Sequence, residues 1–219
     1  MRTLLVCFVS LLFATQLHAN SFQFTQNQAE KGDANAQLAL GDMYYFGDVV
    51  TENLPLALKW YQLAAEQGQV DAQYYLGMMH ENGDGVAVNT QFARKWYQLA
   101  AKQGHAEAQF RLADIMMLSD TKEDEQRAFY WYMQAAKQGH ANAQSHLGLM
   151  YYLGRGVDAN MKFSYIWASI ASHNGFHYAK EFINNYAMNS NQRLAENERI
   201  EAEAISLECY VSHYKNCQF

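Results

Sequence analysis

Five glycines divide this 219-residue chain at nearly equal steps. Gly68, Gly104, Gly139 and Gly175 each close a version of one phrase: WYQLAAEQG, WYQLAAKQG, WYMQAAKQG and IWASIASHNG. Gly32 closes a fainter copy, FTQNQAEKG, and the steps are 36, 36, 35 and 36 residues. A fixed period in this range means stacked supersecondary units, each packed on its neighbours, and not one closed globule. Such arrays bind partners along an open surface, which turns the functional question from chemistry towards recognition.

Each unit parses into two helices. Helix A carries Ala36, Leu40, Gly41 and Tyr44 in the first copy, and the same offsets give Ala72, Leu76, Gly77 and His80 in the second. The third has Ala108, Leu112, Ala113 and Met116, the fourth Ala143, Leu147, Gly148 and Tyr151. Those offsets share one helical face. Gly47, Gly83 and Gly154 end helix A, and Ser119 replaces the glycine in the shortened third copy. Helix B begins after Asn53, Asn89, Asp124 and Asn160, residue types that favour the N-cap, and Pro55 falls in a first turn, where its missing N–H is tolerated. Inside helix B, Ala57, Trp60, Tyr61, Ala64 and Ala65 form one apolar stripe that the later copies repeat. On this pattern Trp60, Trp96, Trp131 and Trp167 fill the space left by the Ala pairs. Phe24 falls at the Trp position of the faint first copy.

The chain starts as an exported protein would. Met1-Arg2-Thr3 is a short positive region, Leu4–Ala14 an apolar run too short to span a bilayer, and Leu17-His18-Ala19 a cleavage site. Residues 1–19 therefore read as a signal peptide, residues 20–188 as the array, and residues 189–219 as a capping helix and tail. Four full repeats run over about 33–68, 69–104, 105–139 and 140–175, with half-repeats at both ends. Cleavage leaves 15 Lys and Arg against 22 Asp and Glu, a charge of −7 that argues against nucleic acid or an anionic membrane as partner. Cleavage also removes Cys7 and leaves Cys209 and Cys217, a candidate disulfide in an oxidising compartment. Eight residues of helix would hold their Cα atoms about 12 Å apart, so a bridge requires the helix to end between them, near His213. Otherwise the two remain free thiols.

The phrases LGDMYYFG…A…WYQLAAEQG (Leu40 to Gly68), LGMMHENGDGV…A…WYQLAAKQG (Leu76 to Gly104) and LGLMYYLGRGV (Leu147 to Val157) closely resemble the Sel-one-like repeat family, a relative of the tetratricopeptide repeats. The resemblance covers about residues 21–188. It implies an all-α fold, an α/α right-handed superhelix (solenoid) of stacked antiparallel helix pairs, with helix A lining the concave surface. It also implies adaptor roles in signalling, envelope assembly or host contact. Some cysteine-rich members are described as penicillin-binding or weakly β-lactam-hydrolysing. They hold a disulfide in each repeat, whereas this chain has no cysteine in any repeat and no S-x-x-K with its companion motifs.

Neither catalytic, cofactor nor metal residues emerge. His105 and His140 follow closing glycines as turn residues, His173 and His177 flank a glycine that breaks any metal-binding helix turn, and His80 replaces a core Tyr. Asp42 and Asp114 stand two units apart, too far for a catalytic pair. The acidic run from Glu196 to Glu208 reads as a solvated helix face. What varies from copy to copy is the remaining face of helix A, where Tyr75, Met78, Arg111, Met117 and Tyr152 form a candidate groove. The expectation is an exported scaffold, periplasmic or secreted, with a protein or peptide partner, no cofactor, no nucleic acid and no integral membrane segment after cleavage. The alternatives are a cell-wall or β-lactam-related hydrolase, or a regulator of an envelope enzyme.

Overall fold

The computed structural model describes residues 20–119, 121–176, 179, 194–214 and 217. The expected signal peptide lies outside them. So does the half-repeat over 179–188, except for Ala179, which is buried. The described residues are helical and contain no strand. They fall into two compact units, one ending at Leu99 and the other beginning at Ala100.

The first unit holds α1 (residues 20–30), α2 (Ala34–Phe46), α3 (Leu54–Glu66), α4 (Val70–Asn82) and most of α5 (Thr90–Lys102). Helix α2 packs on α3, and α3 on α4. The second holds α6 (Ala106–Met117), α7 (Lys122–Ala136), α8 (Ala141–Leu153), α9 (Met161–His173) and α10 (Glu196–Val211), each packed on the next. Very short links join each helix B to the following helix A and turn the chain back on itself, so neighbours run antiparallel. Helix A stops where Gly47, Gly83 and Gly154 enter the left-handed region (φ 71°, 85° and 69°), which L side chains avoid. In the shortened third copy Leu118 remains right-handed instead.

Helix starts are capped by side chains. Asn53 and Asn160 accept from Leu56 and Phe163 N–H, and Asn89 from Gln91 and Phe92 N–H. In the third copy the cap is Thr121, which accepts from Asp124 N–H, and Asp124 lies inside the first turn. The loop has lost one residue, and α7 compensates by starting earlier and running 15 residues. Helix A is capped by Asp33, Gln69, His105 and His140. His105 and His140 are thus caps, each accepting an N–H (of Ala108 and Ala143) through Nδ1 at 3.1 and 3.2 Å.

The core plug is tyrosine, not tryptophan. Tyr61, Tyr97 and Tyr132 are fully buried, whereas Trp60, Trp96 and Trp131 are half-buried. Lys59 and Lys95 lie over the rings of Trp60 and Trp96. Only in the fourth repeat, where Ala168 replaces the Tyr, does Trp167 enter the core at 0% exposure. The tyrosine fits because helix A comes close. A Cβ on Gly41 would stand 2.6 Å from the Tyr61 ring, and one on Gly77 2.6 Å from that of Tyr97. Phe24 is exposed.

A buried glutamine joins each helix A to the helix before it. Gln37, Gln73, Gln109 and Gln144 donate Nε2–H to the carbonyls of Ala29, Ala65, Ala101 and Ala136 at 3.0–3.1 Å. Those carbonyls belong to last helical turns, where the regular helical N–H donors run out, and each also accepts the N–H of the closing glycine, Gly32, Gly68, Gly104 or Gly139, at 3.0 Å. Gln37, Gln109 and Gln144 also accept from Gln67, Gln138 and Asn174.

Candidate partner-binding surface

The polar residues on helix A divide into those consumed inside the stack and those left on its surface. Four buried phenols end on carboxylates. Tyr61 donates to Asp42 at 2.8 Å, Tyr97 to Glu81 at 2.6 Å, Tyr132 to Asp114 at 2.5 Å and Tyr165 to Glu203 at 2.7 Å. Burial, and then the carboxylate beside the hydroxyl, hold the Tyr61, Tyr132 and Tyr165 phenols well above their usual range. Asp42 and Asp114 are therefore acceptors for core tyrosines.

In the first unit, Tyr75 and Met78 lie about one turn apart on α4, both half-buried. The Tyr75 ring stacks on Tyr61, with centroids 5.1 Å apart and planes 13° from parallel. Tyr45 donates to Asp84 at 3.0 Å, and burial with that acceptor raises its phenol to about 12. His80 stacks on Phe92, and burial pushes its imidazole below the usual value.

In the second unit, Arg111 and Met117 lie on α6 and Tyr152 on α8, again half-buried. Arg111 Nε donates to Glu107 at 3.0 Å, and its guanidinium sits over Phe110. The other Glu107 oxygen lies 2.8 Å from His140 Nε2, a contact that chiefly holds the Glu107 carboxyl below its usual range. Because His140 Nδ1 accepts a backbone N–H, its Nε2 carries the proton given to Glu107. Phe110, Tyr132 and His146 pack into one aromatic group beside these charges.

Helix α10 covers the end of this unit. Besides the Tyr165 bond to Glu203, Lys162 pairs with Glu201 at 2.8 Å, so the acidic run is partly spent on docking. The helix ends at Val211, and His213 and Tyr214 turn left-handed (φ 51° and 63°). Cys209 and Cys217 are joined in a disulfide with Cα atoms 4.6 Å apart. The Tyr214 oxygen accepts from Asn174, the side chain that also bonds Gln144.

This succession of capped pairs, buried glutamines and small-residue contacts is matched by a known profile. The Sel1 repeat profile matches residues 34–69, 70–105, 106–140 and 141–176. The chain belongs to the Sel1 repeat family. A Sel1 repeat protein from Oxalobacter formigenes is 32% identical and superimposes with a TM-score of 0.67 over 75% of this chain and 48% of its own. A protective antigen of uropathogenic Escherichia coli displaying an SLR fold is 28% identical, with a TM-score of 0.56 over 89% of this chain and 49% of its own. The chain thus spans about half the length of these solved relatives. Among curated proteins none matches.

Sel1 repeats form helical scaffolds that mediate protein interactions, and the fold here is theirs: all-α, with consecutive helix pairs packed. Among the described residues no helix is long and apolar enough to cross a membrane, and no His, Cys, Asp and Glu group is arranged to hold a metal. Within the Sel1 repeats, the phenol–carboxylate bonds escaped the sequence reading although a signal existed. Asp follows the small residue in copies one and three. In copy two Met78 takes its place, and Glu81 supplies the acid one turn later. Copy four loses both the acid (Leu149) and the Tyr (Ala168) together.

Proposed function

We propose that this Sel1 repeat chain is an exported, non-catalytic adaptor that binds a protein or peptide partner in the bacterial periplasm or outside the cell. One observation carries the reading. Some polar side chains serve internal caps, glutamine links and phenol–carboxylate bonds, while the other helix A positions that change between repeats stay half-exposed. Tyr75, Met78, Arg111, Met117 and Tyr152 are of types that favour interfaces. A preformed helical surface loses little conformational entropy on binding. Export is supported by the signal-like residues 1–19 and by the Cys209–Cys217 disulfide, which suits an oxidising compartment.

The test is a chain carrying Tyr75→Ala and Arg111→Ala, compared with the wild type in capture of its cross-linked cellular partner. Weakened capture with an unchanged helical spectrum is the expected result, and undiminished capture refutes binding through these helix A positions. Export is read from the first residue of the periplasmic or secreted protein, expected at Asn20. Turnover of a chromogenic cephalosporin by pure protein would refute the non-catalytic reading.

A further inference from the structure

Helix α10 carries small or apolar residues on two opposite faces. Ala202, Ser206 and Cys209 are fully buried, and α9 packs on the helix. About half a turn around it, Ile200, Leu207 and Val211 stand 59%, 50% and 65% exposed, with Asn197 and Ala204 exposed in line with them. From Asn197 to Val211 these five positions advance alternately by three and four residues, which is the a and d spacing of a heptad. Asn197, Ala204 and Val211 take the a positions, Ile200 and Leu207 the d positions. All lie within one helix, Glu196–Val211, and span about 21 Å of it. An Asn at a single a position is the kind of residue that fixes register between paired helices.

The e and g positions beside this seam are Glu196, Glu201, Glu203, Glu208 and Tyr210, four carboxylates and no cation. Lys162 on α9 pairs with Glu201, the Tyr165 hydroxyl donates to Glu203, and Arg199 pairs with Glu196. With Glu198 the helix holds five Glu against Arg199 and the nearby Lys162, so the flanks stay negative. The apolar seam supplies the area to bury, and the flanking charge selects what buries it.

We infer that the outward face of α10 pairs with a helix of another protein, one with an apolar a and d seam flanked by Lys or Arg. The inference goes beyond the helix A surface and does not rest on it. A second copy of this chain would set Glu against Glu at the e and g positions, in parallel and in antiparallel pairing alike. Basic flanks turn that repulsion into attraction. The small Ala204, between Ile200 and Leu207, leaves room for a bulky side chain from the partner's seam. An anionic membrane surface meets the same repulsion as a second copy.

The experiment titrates three fluorescein-labelled peptides, each of three heptads, with the full mature chain and follows anisotropy. The first has Leu at a and d, Asn at its central a, and Lys at e and g. The second has Glu for Lys, and the third keeps the first one's composition with the seam scrambled. The first is expected to bind at least about tenfold more tightly than either control, and salt should narrow its lead over the Glu peptide. Ile200→Ser with Leu207→Ser, on the face away from the buried line, should lose about tenfold in affinity with an unchanged helical spectrum. Should that variant fail to fold, Ala204→Lys sets a bulky cation at the exposed centre of the seam and should weaken binding comparably. Tyr75→Ala with Arg111→Ala should leave the affinity unchanged. Equal binding of the first peptide and either control, no effect of the α10 substitutions, or loss of binding in Tyr75→Ala with Arg111→Ala overturns the inference. A dimer of the chain alone in sedimentation, dissolved by Ala204→Lys, also overturns it, because the face then belongs to a second copy. Each of these results leaves the adaptor reading of helix A standing.

Discussion

The Tyr61–Asp42 bond gives the sharpest test of how these repeats are held. Tyr61 is fully buried and its hydroxyl donates to Asp42 at 2.8 Å, while Asp42 keeps a partly exposed side. Removing the hydroxyl by Tyr61→Phe takes away a charge-assisted bond, but water reaches the stranded carboxylate, so the cost should be about 1.5 kcal/mol. Asp42→Leu instead strands a phenol with no access to water, for about 2 kcal/mol. The double substitution leaves neither orphan, as in the fourth repeat, where Leu149 and Ala168 occur together. Its cost should therefore fall well below the sum, with a coupling of about 1–2 kcal/mol. Urea titrations followed by circular dichroism measure all four proteins. Burial already raises the Asp42 carboxyl, and the Tyr61 bond opposes that rise. In Tyr61→Phe the Asp42 titration should therefore move upward, which NMR can read. Additivity within about 0.3–0.5 kcal/mol, or an unmoved Asp42, would refute the pairing as an energetic unit.

Trp167→Ala should cost about 3–5 kcal/mol, as for any large core truncation, whereas Trp60→Ala, at a half-buried site, should cost less than half as much in the same urea assay. Equal costs would restore tryptophan as the common plug. Alkaline pH should destabilise the fold. The raised phenols of Tyr61, Tyr132 and Tyr165 give stability that is full below their unfolded value near 10 and is lost as pH rises past it. Three such groups predict a loss of about 4 kcal/mol at pH 11, read as a falling urea midpoint, and a level midpoint between pH 9 and 11 would contradict it. Reducing the Cys209–Cys217 bridge, which closes a loop of only eight residues, should lower stability by about 2.5 kcal/mol with the α6–α9 repeats still helical. Loss of all helix on reduction would show that the tail, not the stack, sustains the unit.

Much of the architecture is legible in the sequence because repetition exposes it. A glycine that must turn left-handed at the end of helix A recurs at Gly47, Gly83 and Gly154, and Asn53 and Asn160 cap where the pattern places them. The exchange of Trp for Tyr as the plug has a geometric origin. At about 100° per residue the Tyr lies among the Ala positions of the stripe, and the Trp lies about 60° to one side of the first Ala, at the edge. Apolar character alone does not separate centre from edge. Thr121 is hidden because a register counted backward from Ala128 assumes a helix of constant length, and α7 is longer. The caps made by Gln69, His105 and His140 fall outside the short polar residues that usually signal a helix start. Of the candidate surface, the variable columns are visible, but the bonds fixing Asp42, Glu81 and Asp114 join different helices and follow no local pattern.

The central claim is that partners bind through the helix A positions that vary. Photo-crosslinking residues introduced in living cells at Tyr75, Met78, Arg111, Met117 and Tyr152, and separately at Lys59, Lys95 and Tyr130 on the helix B faces, test it directly. The account predicts one discrete cross-linked species from the helix A positions and none from helix B. Cross-links confined to helix B, or equal from both, would contradict it.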